Sequence, residues 1–223
     1  MSHVAIVLAA GQGTRMKSDL PKVLHRVAGR PMLSWVLDAV IATAPERVIV
    51  VVGHGAGAVT AVLPDGVEWC VQEERRGTGH ATQIALEHAG DVAGRAVMVL
   101  PGDTPLITAE ALGDLLLRHS IPGAAMLTAE IDDPTGYGRV LRSDGTVTGI
   151  VEHKDASDEQ RRVREINAGM YVFDGTTLPA DLAILEHPDF VAAEHSTKWV
   201  EDRLDLSQLT AEAPRGTDGE AGD

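Results

Sequence analysis

The chain has 223 residues, enough for one α/β domain with a real core or for one domain plus a tail. Hydrophobic residues make up 44% and aromatics only 3%, so a globular fold is expected with a core of Val, Leu, Ile and Ala. The formal net charge of -14 argues against a general nucleic-acid binder, and the single cysteine, Cys70, excludes an intramolecular disulfide and a Cys-rich zinc site.

Val4–Ala9 is a continuous apolar run of strand length, the pattern of a strand covered on both faces. Pro31 opens a helical pattern in which Met32, Leu33, Val36, Leu37 and Val40 share a face. Arg47–Val52 reads as a second buried strand, broken by Gly53-His54-Gly55. Val67–Gln72 is a third, followed by a Gly77-Thr78-Gly79 turn and a helix from about His80 to His88. Ala96–Leu100 is a fourth, ending at Pro101-Gly102-Asp103, and Thr108–His119 is helical with Thr108 as N-cap and Glu110 in its first turn. This strand–helix rhythm predicts crossover connections and a mostly parallel, twisted sheet. After Ala124 the rhythm changes. Ala125–Ile131 and Gly138–Arg142 read as strands, Ser143–Thr146 as a hairpin turn into Val147–Glu152, and Met170–Phe173 as the last strand. Ser157 and Gln160 have capping-box spacing, which predicts a short helix through Glu165. No apolar run approaches the roughly 20 residues of a membrane span, and no signal peptide is legible, so a cytoplasmic protein without membrane contact is expected.

Chemistry concentrates at strand ends. In an open parallel sheet, ligands sit beyond the carboxyl ends of the strands. Gly11 and Gly13 follow the first strand and allow close approach of backbone N–H groups to an anion, while Arg15 and Lys22 can neutralise phosphate oxygens. The stretch is not a Rossmann fingerprint, because Met16 stands at its third glycine, nor a Walker A loop, which ends in Gly-Lys-Ser/Thr. Pattern alone leaves phosphate binding and an ordinary strand-to-helix turn both open. Asp103, at the end of a buried strand, can hold Mg²⁺ by oxygen ligation or simply cap a turn. Glycine loop, cation pair, Gly-Thr-Gly turn and strand-end Asp together suggest a nucleotide and its metal. The nine histidines include no His-Glu-x-x-His, which argues against zinc, and Cys70 reads as a packing residue.

The segments LAAGQGTRMKSDLPKVLHRVAGRPML, QEERRGTGHA, PGDTPL, DDPTGYGRV, GIVEHKDASDEQ and EINAGMYVFD occur in order over about residues 3 to 174. They closely resemble the uridylyltransferase (pyrophosphorylase) domain of the bacterial bifunctional N-acetylglucosamine-1-phosphate uridyltransferase/glucosamine-1-phosphate acetyltransferase. The resemblance implies an α/β, Rossmann-like nucleotidyltransferase fold of the nucleotide-diphospho-sugar transferase kind. It implies formation of UDP-N-acetylglucosamine, a peptidoglycan precursor, and pyrophosphate from UTP and N-acetylglucosamine 1-phosphate, with Mg²⁺ as cofactor. Carried over by motif, it implies that Leu8, Ala10 and Gly11 line the nucleotide pocket and that Gln72, Gly77 and Thr78 recognise uracil and ribose. Arg15 and Lys22 would contact the triphosphate, Asp103 would ligate Mg²⁺, and Gly138, Glu152 and Asn167 would hold the amino sugar.

The resemblance stops near Leu178. The family's Asn-rich continuation, its second metal-binding Asn and its trimer-forming left-handed β-helix acetyltransferase domain have no counterpart in the sequence given. AILEHPDFVAAEHSTKWVEDRLDL, residues 183–206, resembles instead the end of a biotin carboxylase domain, without any ATP-grasp or biotinyl motif. The expected organisation is a truncated uridylyltransferase-like domain over 1–178, an atypical segment over 179–213 and a disordered acidic tail over 214–223. A truncated or fused gene would account for that join. The carboxyl-terminal part of the fold is expected to be incomplete and the chain a weak or inactive uridylyltransferase without acetyltransferase activity. The alternatives are a non-catalytic UTP- or UDP-sugar-binding fragment or another sugar-phosphate nucleotidyltransferase.

Overall fold

The computed structural model describes residues 2–11, 16, 18–53, 55–74, 76–119 and 123–186. Gly13, Arg15, His54 and residues 187–223 lie outside them, and with them the expectations for most of the 179–213 segment and for the 214–223 tail. Residues Met1–Thr177 form one compact unit, and the helix Leu178–Glu186 belongs to a second unit that runs to Asp223.

The apolar runs become strands and the 3.6-period segments become helices. In chain order these are β1 (His3–Leu8), a two-stranded hairpin of β2 (Arg26–Val27) and β3 (Arg30–Pro31), α1 (Met32–Ile41), β4 (Arg47–Val52), α2 (Ala56–Thr60) and β5 (Glu68–Val71). Then follow α3 (Thr78–Ala89), β6 (Ala96–Pro101), α4 (Ala109–Arg118), β7 (Ala124–Glu130), β8 (Arg139–Ser143), β9 (Thr146–Val151), β10 (Glu165–Asp174) and α5 (Leu178–Glu186). Leu33, Val36, Leu37 and Val40 of α1 are fully buried, as their spacing predicts. The Thr108 side chain accepts from Ala111 N at 3.2 Å and caps α4. The β8–β9 turn takes left-handed backbone at Asp144 and Gly145, the geometry of a tight two-residue hairpin.

Strands β5, β4, β1 and β6 lie side by side and are all parallel. Their two faces are covered by different helices, which is why the runs do not alternate. One face, with Val7, Val50, Val52, Met98 and Leu100, packs in a core with Leu33, Leu37 and Leu112 of α1 and α4. The other face lies under α3, which contacts β1, β4 and β5. The sheet continues antiparallel: β10 pairs with β6, then with β8, and β8 with β9, while β7 also pairs with β10.

The expected helix through Glu165 does not form as such. Ser157 N donates to Gln160 Oε1 at 2.8 Å and Gln160 N to Ser157 Oγ at 3.2 Å, so the capping box itself is present. It opens only a single 3-10 turn, Gln160–Arg162. Val163 is already extended, Ile131 N donates to Arg164 O at 3.2 Å, and Glu165 begins β10. Ladder bonds over ten residues outweigh a local cap that can organise one turn.

Glu165 is pinned further by both arms of the Arg142 guanidinium, at 2.8 and 2.7 Å, and these bonds hold its carboxyl below the ordinary glutamate range. A carboxyl with a lowered folded-state value contributes stability above its unfolded value, about pH 4.3, and loses it as the pH falls through the folded value. Glu165→Gln should therefore lower the melting temperature at pH 7, by the equivalent of about 1 kcal/mol for a partly exposed pair, and leave it unchanged near pH 2. Thermal unfolding followed by circular dichroism at both pH values checks this.

Candidate active site

Chain order places a switch point between β1 and β6. From β1 the chain steps outward to β4 and β5, then returns across the sheet to lay β6 on the other side of β1. The connections diverge there and leave a crevice beyond the carboxyl ends of the two strands. Gly102 N donates to Leu8 O at 2.9 Å, so the ends of β1 and β6 are bonded directly to one another. Ala9 N donates to Val51 O at 2.8 Å and Gln72 N to Val52 O at 2.8 Å, which brings the segments after β4 and β5 to the same rim.

Leu8, Ala10, Gly11, Gln72, Gly77 and Thr78 line one cleft of about 290 Å³ at this rim, closed by Ala81 and Pro101. Three separate sequence segments thus meet in a single concavity. Gly53, at the end of β4, makes the passage possible: a Cβ there would lie 3.0 Å from Ala10 O and 3.1 Å from Ala10 Cα. Gln72 is buried, and its amide nitrogen donates to Gly77 O at 3.2 Å and sits 3.1 Å from His80 Nδ1. Its donors are therefore engaged by the protein, and its oxygen is the group left to read a ligand. The helix α3 begins two residues earlier than the sequence suggested, so Thr78 stands in its first turn and Gly77 at its N-cap, with the helix N-terminus at the cleft. Cys70 is buried, and burial pushes its thiol up to about 11, which keeps it protonated at neutral pH.

Beside the cleft, the Lys22 ammonium rests on the Asp103 carboxylate. Lys22 opens a 3-10 turn anchored by buried Val23 and Leu24, and Asp103 follows the buried strand β6. The Asp103 side chain keeps 19% of its surface exposed. Among the described residues, no three His, Cys, Asp or Glu side chains converge as an all-protein metal cage would require. Asp103 is nevertheless a fitting ligand for Mg²⁺, which binds through one or two carboxylates and completes its shell with water and phosphate oxygens. In the structure this carboxylate carries the Lys22 ammonium. Arg15 lies outside the described residues.

A second cluster forms on the antiparallel arm. Asn167 N donates to Gly138 O at 2.9 Å, and a Cβ on Gly138 would lie 3.4 Å from Glu152 Oε1. Gly138, Glu152 and Asn167 are thus brought together from three strands or their ends. The β10–β7 register shifts between Asn167 and Tyr171, and this irregularity lets the Asn167 amide donate to the Tyr171 hydroxyl at 2.5 Å. Burial pushes the Tyr171 phenol above its ordinary value; the bond from Asn167 opposes this and the charge of Glu152 adds to it. Sequence reasoning missed Gly53, which matters through the distant Ala10, and Tyr171, which meets Asn167 across a register shift that nothing local marks. His80, read from the sequence as a helix-start residue by the pocket, lies in the first turn of α3 against Gln72.

A family profile described as the MobA-like NTP transferase domain matches residues 5–166. Among curated proteins, the chain is 51% identical over 181 residues to the bifunctional protein GlmU of Exiguobacterium sibiricum, covering 80% of this chain and 40% of that one. It is 45% identical over 238 residues to the bifunctional protein GlmU of Exiguobacterium sp. strain AT1b, covering 95% of this chain and 52% of that one. The chain therefore spans about half the length or less of these curated relatives. A match over 95% of the chain also reaches past residue 178, where the legible motifs end. Among solved structures, HddC from Yersinia pseudotuberculosis complexed with GMP-PN superposes with a TM-score of 0.65 at 22% identity, over 84% of this chain and 80% of that one. That likeness carries the fold, and the expected Rossmann-like α/β nucleotidyltransferase architecture is the one observed.

Proposed function

This chain belongs to the MobA-like NTP transferase domain family, and from that membership we propose that it joins UTP to N-acetylglucosamine 1-phosphate, releasing pyrophosphate and UDP-N-acetylglucosamine. The observation that carries the reading is the convergence of Leu8, Ala10, Gly11, Gln72, Gly77 and Thr78 on one cleft beside the Lys22–Asp103 pair. The similarity to two bifunctional GlmU proteins supports the choice of substrates.

In this reading a phosphate oxygen of the sugar phosphate attacks the α-phosphorus of UTP, a new P–O bond forms, and the bond to the β-phosphate oxygen breaks. The attacking group is already an anion, so no protein nucleophile or general base is needed. The protein's task is alignment and charge. Gly11 lets the backbone come close to the triphosphate, and Lys22 turns from Asp103 to the phosphates, with Arg15 as a second cation. Asp103 would hold a Mg²⁺ ion, which supplies charge neutralisation on the phosphates and a fixed geometry between them. Gln72 presents its oxygen to the imide N–H of uracil, while Gly138, Glu152 and Asn167 take the amino sugar.

Pyrophosphate release from UTP and N-acetylglucosamine 1-phosphate, in Mg²⁺ buffer, tests the reaction. Binding of UTP by calorimetry with no turnover would replace the enzyme by a nucleotide-binding module. Base choice gives a finer check. UTP should be used in preference to CTP and ATP, and Gln72→Ala should erode that preference by about 1–3 kcal/mol, the cost of an unmet buried hydrogen-bonding group. Equal kcat/KM for UTP and CTP in the unaltered protein would refute the uridylyl assignment.

A further inference from the structure

Among the described residues, Arg139 is the largest fully buried side chain, at 1% exposure. A buried guanidinium is costly unless its charge is met, and the usual answer is a carboxylate. Among the described residues, Arg139 forms no ion pair. Its Nη1 donates to Tyr137 O, its Nη2 lies 3.2 Å from His153 Nδ1 and 3.5 Å from Arg161 O, and its Nε has no partner. An arginine nitrogen can only donate, so His153 accepts through Nδ1 and carries its ring proton on Nε2.

The partners matter by position. Tyr137 precedes Gly138, His153 follows Glu152, and Ile166, the β10 residue in register with Arg139, precedes Asn167. Each residue assigned to the amino sugar is therefore the chain neighbour of a residue that Arg139 holds by side chain or by strand register. The fork also reaches Arg161 O in the 3-10 turn, and Arg161 Nε donates back to His153 O at 3.4 Å. One guanidinium thus spans the turn before β8, the segment after β9 and the turn before β10. A fork with donors in fixed directions suits this task, whereas a carboxylate-paired arginine would have its directions already taken.

We propose that Arg139 is a positioning residue for the sugar-phosphate half of the site: it sets the mutual placement of Gly138, Glu152 and Asn167 from beneath without touching substrate. The inference rests on the assignment of those three residues to the sugar.

The test combines two measurements on the full chain with Arg139→Lys and His153→Ala. Lysine keeps the charge, but its donors share one nitrogen and cannot reach partners that the guanidinium meets with two separate ones, and His153→Ala removes one of the three contacts. Hydrogen exchange should rise at residues 134–138 and 152–162 in both variants and stay unchanged at 8–11 and 72–78. Steady-state kinetics should show KM for the sugar 1-phosphate raised about tenfold or more in Arg139→Lys and less in His153→Ala, with KM for UTP within about twofold. Faster exchange with both KM values unchanged, or rising together, would overturn the role and leave Arg139 a structural anchor only. If the unaltered protein prefers a different sugar 1-phosphate, the substrate reading falls, and the same KM split measured with that sugar phosphate still decides the role of Arg139. Should Arg139→Lys fail to fold, the exchange pattern and KM split of His153→Ala carry the decision alone.

Discussion

Asp103→Asn should lower the rate of pyrophosphate release by about a thousandfold or more, the largest effect on activity expected of any single substitution. Asparagine keeps the size and one oxygen of the side chain but removes its negative charge, so it neither draws in a divalent cation nor holds Lys22. The Lys22 contact makes the loss two-sided: without the carboxylate, the ammonium loses the partner that orients it towards the β1–β6 crevice. Mg²⁺-dependent binding of UTP, measured by calorimetry, should fall with the rate, while the melting temperature without ligand should change little at this partly exposed pair. Turnover within threefold of the unaltered protein would remove Asp103 from the site.

Gly175→Ala should cost the fold about 2–4 kcal/mol, the largest single effect expected on stability. Gly175 N donates to Arg95 O at 2.9 Å, directly after β10. A Cβ at this position would fall on the Val92 carbonyl oxygen and 2.8 Å from Arg95 O, and both obstacles are backbone that cannot rotate away. The neighbouring bonds, from Thr176 N to Asp174 Oδ1 at 2.9 Å and from Gly94 N to Thr176 Oγ1 at 3.1 Å, would be strained together. Urea unfolding of the two proteins measures the difference, and equal midpoints would mean that the Val92–Arg95 turn yields freely.

The legibility of the sequence varied along the chain for physical reasons. RVIVVV and AVMVLP announce β4 and β6 because a strand covered on both faces needs no polar alternation, and the α1 face is equally plain. The hairpin β2–β3 was not read. Its turn uses Ala28 and Gly29, both at positive φ, and only the glycine is a signal for that conformation. Nor was α2 anticipated, since five residues give too little periodicity to see. At 157–165 a true local signal, the capping box, pointed to a longer helix than long-range pairing allows. In the site, the residues of the nucleotide cleft were legible through motifs whose spacing strand ends preserve. Arg139 and Tyr171 were not singled out, because nothing local distinguishes a buried organiser from a surface arginine or an ordinary strand tyrosine.

The position of β10 bears on how this chain comes to be folded. Among the described residues, it alone bonds the parallel strands to the β8–β9 hairpin, pairing Asp174 with Ala96 and Ile166 with Arg139. Sequence separation makes these pairings late, because long loops must close before any of them forms. Until they do, β6 offers a bare row of amides and carbonyls on a flat apolar strand, a template for the wrong neighbour in a crowded cell. Synthesis leaves that edge open for about 70 residues' worth of translation, the distance from Pro101 to Tyr171, where the pairing with β6 begins. The strand that completes the sheet is therefore also its guard against aggregation, and substitutions that slow its insertion should cost yield in cells before they cost stability in the tube.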